Sequence, residues 1–366
     1  MKTTALRHRV GSLLIVGVES TSLSALEVAW LRSLQPSGMI LFRRNIETSA
    51  RLHALWHQAA TALTAPFFRC VDLEGGTVDR LRDLVGSTPS AEEVAATHQP
   101  EVIHASGLLI GRMLHALGFN LNLAPVLDLA LPVSREVMGT RVVSADPANV
   151  IAYAREFIAG LQQHGIMACG KHFPGLGGGT LDSHHATPNI RRTWDQIWEQ
   201  DLEPYRRLRA ELPMVMVNHA AYPKIEKPSR LASLSRFWIQ EVLREKLRYR
   251  GLVISDDMEM GGVLNHASAE SAAIEAVAAG TDLLELCHRA DRVLGTHEAL
   301  LHEAERSPAF ARAVDRAAKR VASAKLKLLT KSTLPRPLSA AGLKRLQAAQ
   351  ERLRARIAHA TREAAE

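Results

Sequence analysis

The sequence is poor in aromatic residues and in cysteine. Phenylalanine, tryptophan and tyrosine together make up 5% of the 366 residues, and the cysteines are Cys70, Cys169 and Cys287. Proteins that bind single-stranded nucleic acid stack the bases on aromatic side chains set among basic ones, so this composition argues against a nucleic-acid partner. A sparse, odd set of cysteines without a CxxC pair predicts buried, reduced thiols, which are typical of a cytoplasmic protein.

The sequence also lacks an apolar run long enough to span a membrane. The run at 10–18 follows Lys2, Arg7 and Arg9 and imitates the start of a secretory signal. That run is short, Glu19 follows it directly, and no A-x-A cleavage site appears. We therefore predict that it is the first core strand of a protein without a membrane partner.

The net charge of +7 is only moderately basic. Part of the excess falls at 312–331, where a solvated helix face is the simplest interpretation. This charge is compatible with an anionic substrate but does not by itself indicate one.

Short apolar runs recur along the chain, with helix-period segments between them. Eight alternating strands and helices predict an α/β fold, a TIM-type (β/α)8 barrel with additional C-terminal helices. A doubly wound open sheet is the alternative, but it needs a glycine-rich phosphate turn, which Gly175-x-Gly177-x-x-Thr180 imitates only weakly. The predicted strands are 12–18, 38–42, 67–72, 121–128, 167–172, 214–219, 252–256 and 282–287.

A proline-containing break separates the end of the chain from the rest. Residues 1–332 contain all the predicted strands and form the predicted catalytic barrel, while Pro335 and Pro337 interrupt the helical pattern. Residues 333–366 form a predicted C-terminal helical tail. Its thin apolar stripe predicts that it docks on the barrel or pairs with a neighbour, so the oligomeric state stays open.

Polar residues and glycines follow the fifth predicted strand. The segment 171–175 reads KHFPG, and three further glycines fall at 177–179. Asp182 and His184 come next, two residues apart, so the carboxylate can hold one ring nitrogen while the other transfers protons. A mobile loop at a strand end is a common place for such chemistry.

A second motif ends the seventh predicted strand. The apolar run 252–254 leads through Ser255 into two adjacent carboxylates, Asp256 and Asp257. A buried parallel strand has this pattern when it carries a functional residue at its carboxyl end. In a barrel all the strand ends share one face, so this motif and the loop at 171–184 are predicted to meet there.

Together the motifs resemble those of family 3 glycoside hydrolases. The resemblance extends from about residue 11 to 287, and includes the segments 38–42, 71–76, 124–128 and 216–219. Within that family the chain is most similar to the bacterial single-domain β-N-acetylglucosaminidases. The resemblance implies hydrolysis of terminal non-reducing β-linked N-acetylglucosamine with retention, without metal or cofactor. It further implies peptidoglycan recycling in the cytoplasm, although a chitin-type disaccharide is equally compatible.

The resemblance also implies a role for individual residues. Asp256 is the implied nucleophile, and Asp257 its neighbour or a helix cap. His184 is the implied acid/base, oriented by Asp182, and His185 is a bystander. The residues implied to bind the terminal sugar are Asp72, Arg80, Arg141, Lys171, His172 and His219.

Besides Thr187, which stands where the family has Leu, the chain departs from the family pattern at three positions near these motifs. Leu176 stands where the family usually has His, Gly178 where it often has Asp, and Thr77 where it has Arg. None of the three is an implied catalytic residue, but they bear on loop geometry and on leaving-group preference.

Three alternative interpretations fit parts of the same pattern. A β-glucosidase or a glycoside phosphorylase would use the same fold, and a sugar-binding barrel without turnover is a second possibility. A metal-dependent hydrolase could use His172, Asp182, His184 and His185, but no H-x-x-x-H helix supports it.

Overall fold

The predicted barrel is present in a computed structural model that describes residues 2–180, 187–329 and 333–363. Eight parallel strands close into a barrel in which each strand pairs with the next along the chain and the last pairs with the first. The strands are β1 Leu14–Gly17, β2 Gly38–Ile40, β3 Phe68–Val71, β4 Leu121–Asn122, β5 Met167–Phe173, β6 Met214–Val217, β7 Leu252–Asp257 and β8 Leu283–Leu286. The (β/α)8 prediction is therefore confirmed.

Helices occupy the connections between the strands. Several begin at a hydroxyl side chain that accepts a backbone N–H bond, as at Ser24, Thr48 and Ser268, which fixes where the helix starts. The longer ones are Ala25–Leu34, Ser49–Ala62, Pro100–Ala116, Pro147–Gln162, Ala269–Ala279, Ala290–Arg306 and Pro308–Leu328, with a π-helical segment at Phe237–Lys246. Shorter ones are Arg82–Val85, Ala91–Ala95, Arg135–Met138, Trp194–Gln196, Ile197–Asp201 (π-helical), Glu203–Leu208 and Gly261–Leu264.

Apolar side chains fill the inside of the barrel. Alternate residues of each strand point inward, and Phe68, Met214, Ile254 and Leu283 belong to one buried interior cluster. The opposite faces of the same strands are covered by the helices, which is why the strands read as continuous apolar runs. At about 25 cal/mol per Å² of buried apolar surface, this double burial supplies the main stabilisation of the strands.

The first strand begins later than the sequence predicts. Lys2–Gly11 is a helix, and β1 starts at Leu14 rather than at residue 12. Val10 is fully buried from the end of that helix, so part of the apolar run belongs to the helix and not to the strand. Of the helices that the structure describes, none is both long and apolar enough to cross a membrane.

The end of the chain docks on the outside of the barrel. Helix Ala340–Glu363 turns Leu346, Leu353 and Ile357 inward, where they join the main core. The amide of Gln350 donates to the carbonyl oxygen of Gly86 over 3.1 Å, which ties the middle of this helix to the end of helix Arg82–Val85. The apolar stripe seen in the sequence is thus covered within the same chain.

Candidate active site

A cavity of about 330 Å³ opens at the carboxyl ends of the barrel strands. Its walls come from strand ends far apart in sequence, as the barrel fold requires. Among the predicted site residues, the cavity brings together Asp72, Arg80, Arg141, Lys171, His172 and Asp256. The predicted convergence on one face is therefore what the structure shows for these six.

The predicted acid/base pair, Asp182 and His184, lies outside the described residues. The segment leading to it is described, and Leu176 and Gly179 line the cavity. A Cβ at Gly177 would lie 2.5 Å from the carbonyl oxygen of Leu129, so close backbone packing requires glycine there. The loop that carries the predicted pair thus leaves from the cavity wall.

Lys171 on β5 is the centre of an ion-pair array on one wall. Its ammonium group is almost fully buried and donates to Asp72 Oδ1 over 2.9 Å and to Glu74 Oε1 over 2.6 Å. Burial alone would lower the pKa of Lys171, but the two carboxylates more than offset this and raise it. The ammonium group is therefore held charged inside the cavity.

Glu74 joins Lys171 to a second cation. The Arg141 guanidinium binds the Glu74 carboxylate through two nearly parallel hydrogen bonds of 2.8 and 2.9 Å. Burial would raise the pKa of Glu74, yet Arg141 and Lys171 hold it well below its usual range. This fork geometry fixes Arg141 at the cavity wall.

Arg80 is a second cation beside Asp72. The shortest distance from its guanidinium to an Asp72 oxygen is 3.4 Å, and the guanidinium also lies over the Phe42 ring. Burial raises the pKa of Asp72, but Lys171 and Arg80 together bring it below its ordinary value. The wall therefore holds alternating fixed charges rather than a single sign.

His172 follows Lys171 and is fixed through both ring nitrogens. Nδ1 lies 2.6 Å from Asp128 Oδ2, and Nε2 lies 3.3 Å from Arg141 Nη2. A guanidinium can only donate, so Nε2 accepts and Nδ1 carries the proton toward Asp128. The other Asp128 oxygen accepts the backbone N–H of Leu176 over 2.6 Å, which joins the histidine to the start of the loop.

Asp256 and Asp257 both line the cavity at the end of β7 but have different partners. Asp256 Oδ1 accepts the backbone N–H of Asp257, while Asp257 Oδ1 accepts that of Glu259 over 3.1 Å. Asp257 also lies 3.4 Å from the ring of His288. Burial, reinforced by the nearby Glu259 and Asp256 charges, raises the pKa of Asp257 to about 7.

His219 was predicted to contact sugar, but the described cavity walls do not include it. It is fully buried, with Nδ1 2.7 Å from Ser233 Oγ and Nε2 3.1 Å from the carbonyl oxygen of Asp257. Since that carbonyl only accepts, Nε2 carries the proton, and burial lowers the pKa of the ring. In this geometry His219 supports the backbone behind the paired carboxylates.

Two carboxyl groups of the site, Glu74 and Glu285, were not predicted from the sequence as site residues, and Asp128 was expected at the strand ends without an assigned role. Glu74 and Asp128 lie in quoted motifs, but their partners, Lys171 and His172, are far away in the chain. Glu285 lines the cavity from within an apolar strand. A carboxylate inside an otherwise apolar run is a usable signal for such a residue, because an unpaired buried charge is costly.

The described residues hold no group of three or more His, Cys, Asp or Glu side chains that could bind a metal ion. The metal set considered from the sequence, His172 with Asp182, His184 and His185, falls mostly on residues that the structure does not describe.

Comparison with known proteins gives consistent results. The Glycosyl hydrolase family 3 N terminal domain matches residues 5–324. Beta-hexosaminidase from Bordetella avium is 37% identical over 285 residues, which cover 76% of this chain and 81% of that protein. Beta-hexosaminidase from Idiomarina loihiensis is 33% identical over 279 residues, which cover 75% of this chain and 83% of that protein.

Comparison with solved structures agrees with the family match. A glycoside hydrolase family 3 beta-N-acetylglucosaminidase from Paenibacillus sp. str. FPU-7 matches with a TM-score of 0.89 at 29% identity, over 95% of this chain and 68% of that one. Beta-N-acetylhexosaminidase from Beutenbergia cavernae matches with a TM-score of 0.79 at 28% identity, over 87% of this chain and 98% of that one. Because the family domain spans most of the chain and the barrel has the same architecture, this protein belongs to glycosyl hydrolase family 3 and is a glycosidase.

Proposed function

We propose that the protein is a retaining β-N-acetylglucosaminidase that removes N-acetylglucosamine from the non-reducing end of its substrate. The observation that carries this proposal is the meeting of Asp256 with the ion-pair array around Lys171 in one cavity of about 330 Å³. Such a space is at the lower end of small-molecule sites and suits a single sugar ring. The fixed charges on its wall supply the oriented hydrogen bonds that sugar hydroxyls accept and donate.

The proposed reaction has two steps. In the first, an oxygen of Asp256 bonds to the anomeric carbon as the bond from that carbon to the leaving oxygen breaks, and His184 protonates that oxygen. In the second, His184 takes a proton from water while the water oxygen replaces Asp256 at the same carbon. Two displacements retain the configuration. Asp182 would orient His184, and neither step needs a metal or a cofactor.

We further propose that the natural substrate is a peptidoglycan fragment in which N-acetylglucosamine is joined to an anhydro-muramyl sugar, and that the reaction takes place in the cytoplasm. The support is the resemblance to bacterial single-domain members, together with three cysteines that are all buried and unpaired, as expected in a reducing compartment. A chitin-type disaccharide would fit the same residues, so the relative rates on the two substrates decide between them.

The proposal is tested with aryl β-glycosides of N-acetylglucosamine, glucose and xylose, each assayed with and without phosphate. We expect the N-acetylglucosaminide to have the highest kcat/KM, and phosphate to leave the product unchanged. Faster hydrolysis of the glucoside would identify a β-glucosidase. A sugar phosphate product would identify a phosphorylase, and either result contradicts the proposal. No turnover of any of the three would favour the sugar-binding barrel.

A further inference from the structure

Glu285 on β8 is a carboxyl group inside the barrel. Its neighbours in the strand alternation, Leu283 and Cys287, belong to the interior apolar cluster, so Glu285 between them points the same way. The side chain is buried, with 2% of the residue exposed, and it lines the cavity together with Asp72 and Asp256. It therefore reaches the site from the barrel interior, in register with Asp257 at the end of β7.

The backbone of Glu285 is satisfied but its side chain is not. Its N–H group donates to Ser255 Oγ over 3.2 Å, and its carbonyl oxygen accepts the N–H of Met258 over 3.0 Å. Side-chain Oε1 is enclosed and has no hydrogen-bond partner among the described residues. A buried polar atom left in this way costs about 1–3 kcal/mol, so a role outside folding is the natural explanation.

The charges around Glu285 favour its neutral form. Burial is the largest cause that raises the pKa of Glu285 well above its ordinary value, and the negative charges of Asp72, Asp256 and Asp257 raise it further. The positive charge of Lys171 lowers this pKa, but by less. The titratable and charged groups that face it are Asp72, Asp256, Asp257, Lys171 and the thiols of Cys70, Cys169 and Cys287.

The described cavity walls also carry more acidic than basic groups. The described walls carry five carboxyl groups, Asp72, Glu74, Asp256, Asp257 and Glu285, against three fixed cations, Arg80, Arg141 and Lys171. A neutral Glu285 reduces this excess of acidic groups.

We propose that Glu285 is an additional sugar-contacting residue, which hydrogen-bonds a hydroxyl group of the bound terminal sugar from the floor of the cavity. As a carboxylic acid it donates through its O–H and accepts through its other oxygen, and a sugar hydroxyl can do both in return. The bound sugar would thus satisfy the atom that the protein leaves unpaired. Because this role rests on the proposed function, the sugar used in its test is whichever aryl glycoside the wild-type protein hydrolyses best.

The test compares two substitutions of nearly equal length, Glu285→Gln and Glu285→Met. The amide can still donate and accept, so E285Q should stay within about 3-fold of wild type in kcat/KM. The methionine of E285M can neither donate nor accept such a hydrogen bond. This variant should therefore have a KM, and a Ki for the free sugar product, about 10-fold higher than wild type, as expected for one lost hydrogen bond of about 1.4 kcal/mol. Its melting temperature should be equal or higher, because no buried polar atom remains unpaired.

Substrates that lack one ring hydroxyl each make the test specific. When the hydroxyl that Glu285 contacts is removed from the substrate, the wild-type protein should hydrolyse it more slowly. E285M should hydrolyse the substrates with and without that hydroxyl equally fast, since this variant no longer has the carboxyl group that binds it. Met214→Leu is a volume-conserving change inside the barrel at a residue outside the cavity wall, and it should change neither KM nor Ki.

The outcomes separate this proposal from the proposed function. Wild-type activity on the glycoside panel decides the function, while the variants decide Glu285. E285M that binds the sugar as tightly as wild type would overturn the proposal. If E285M and a second variant, E285A, both lack a cooperative thermal transition, the proposal is also wrong, because a residue kept for sugar binding is not required for folding.

Discussion

Asp256 and Asp257 are adjacent in the chain but differ in their surroundings. Asp257 accepts a backbone N–H from the following turn and faces His288, which is the arrangement of a residue that holds the strand end in place. Both carboxylates line the cavity, but among the bonds described Asp256 accepts only the backbone N–H of its neighbour, so it has fewer partners within the protein. We therefore keep Asp256 as the proposed nucleophile.

Asp256→Asn should lower kcat by ~10³-fold or more, because an amide oxygen cannot attack the anomeric carbon. Asp257→Asn should keep most of the activity, since an amide oxygen can still accept the N–H of Glu259. Both variants are assayed on the aryl N-acetylglucosaminide, and circular dichroism checks that both are folded. If Asp257→Asn lost more activity than Asp256→Asn, the nucleophile would be Asp257 instead.

Asp257 should also set a pH dependence of stability. Its pKa is about 7 in the folded protein but near 4 in the unfolded chain, so the folded state holds the proton more tightly. The resulting stabilisation is complete below pH ~4 and is lost as the pH rises to about 7. Compared with wild type, Asp257→Asn should be equally stable at pH 4 and more stable at pH 8, by up to about 4 kcal/mol, because each unit of difference between the folded and unfolded pKa corresponds to about 1.4 kcal/mol. Equal urea midpoints at pH 8 would contradict the assignment.

His184 lies outside the described residues, so its role stays a prediction from the sequence. His184→Ala should slow hydrolysis of substrates with poor leaving groups by ~10²–10⁴-fold, since their leaving oxygen needs a proton. Activated aryl substrates should lose less in the first step, and a glycosyl-enzyme should then accumulate and be visible by mass spectrometry. Equal losses for both substrate classes, without an adduct, would count against His184 as the acid/base.

At the scale of elements, Asp128 joins the end of β5 to the loop that follows it. One carboxylate oxygen binds the His172 ring and the other binds the Leu176 backbone. The loop is held a second time by the Tyr222 hydroxyl, which donates to the carbonyl oxygen of Gly175 over 2.8 Å. The segment that leads to Asp182 and His184 is thus fixed at its start by side chains from other strand ends.

Asp128→Asn should test this anchoring. The amide has one acceptor oxygen, so either the His172 bond or the Leu176 bond is lost, at a cost of about 1.5–3 kcal/mol for a bond to a charged group. We expect kcat/KM to fall by about 10–100-fold on the aryl substrate. Asp146→Asn, at an exposed helix cap, serves as the control because asparagine caps equally well. Unchanged kinetics of Asp128→Asn would show that the anchor is dispensable.

The elements were largely predictable from the sequence, whereas their ends were not. All eight strands were found, because a strand buried on both faces reads as an apolar run. The predicted strand 121–128 is a regular ladder only at Leu121–Asn122, since Pro125 has no N–H group to donate. Within the site, the pairs Lys171–Asp72 and His172–Asp128 join residues far apart in sequence, so only the closed barrel reveals them.

At the scale of the whole molecule, the C-terminal helix contributes to stability and lies away from the cavity. Leu353→Ala should lower the free energy of unfolding by about 2–4 kcal/mol, because it leaves a cavity under the helix. Glu351→Ala, on the exposed face of the same helix, should have little effect. Thermal unfolding and kcat/KM are measured together. A loss of kcat/KM without a loss of stability would mean that the helix takes part in the reaction.

The central claim is that the protein itself, and not the substrate, supplies the nucleophile. It is tested most directly by incubation with an aryl glycoside that carries fluorine at C2, where the fluorine slows hydrolysis of the intermediate. Mass spectrometry of the digested protein should find the fluorosugar bound to Asp256, and a thiazoline that mimics acetamide participation should inhibit only weakly. Strong thiazoline inhibition with no labelled peptide would contradict the account, because the acetamido group of the substrate would then be the attacking group.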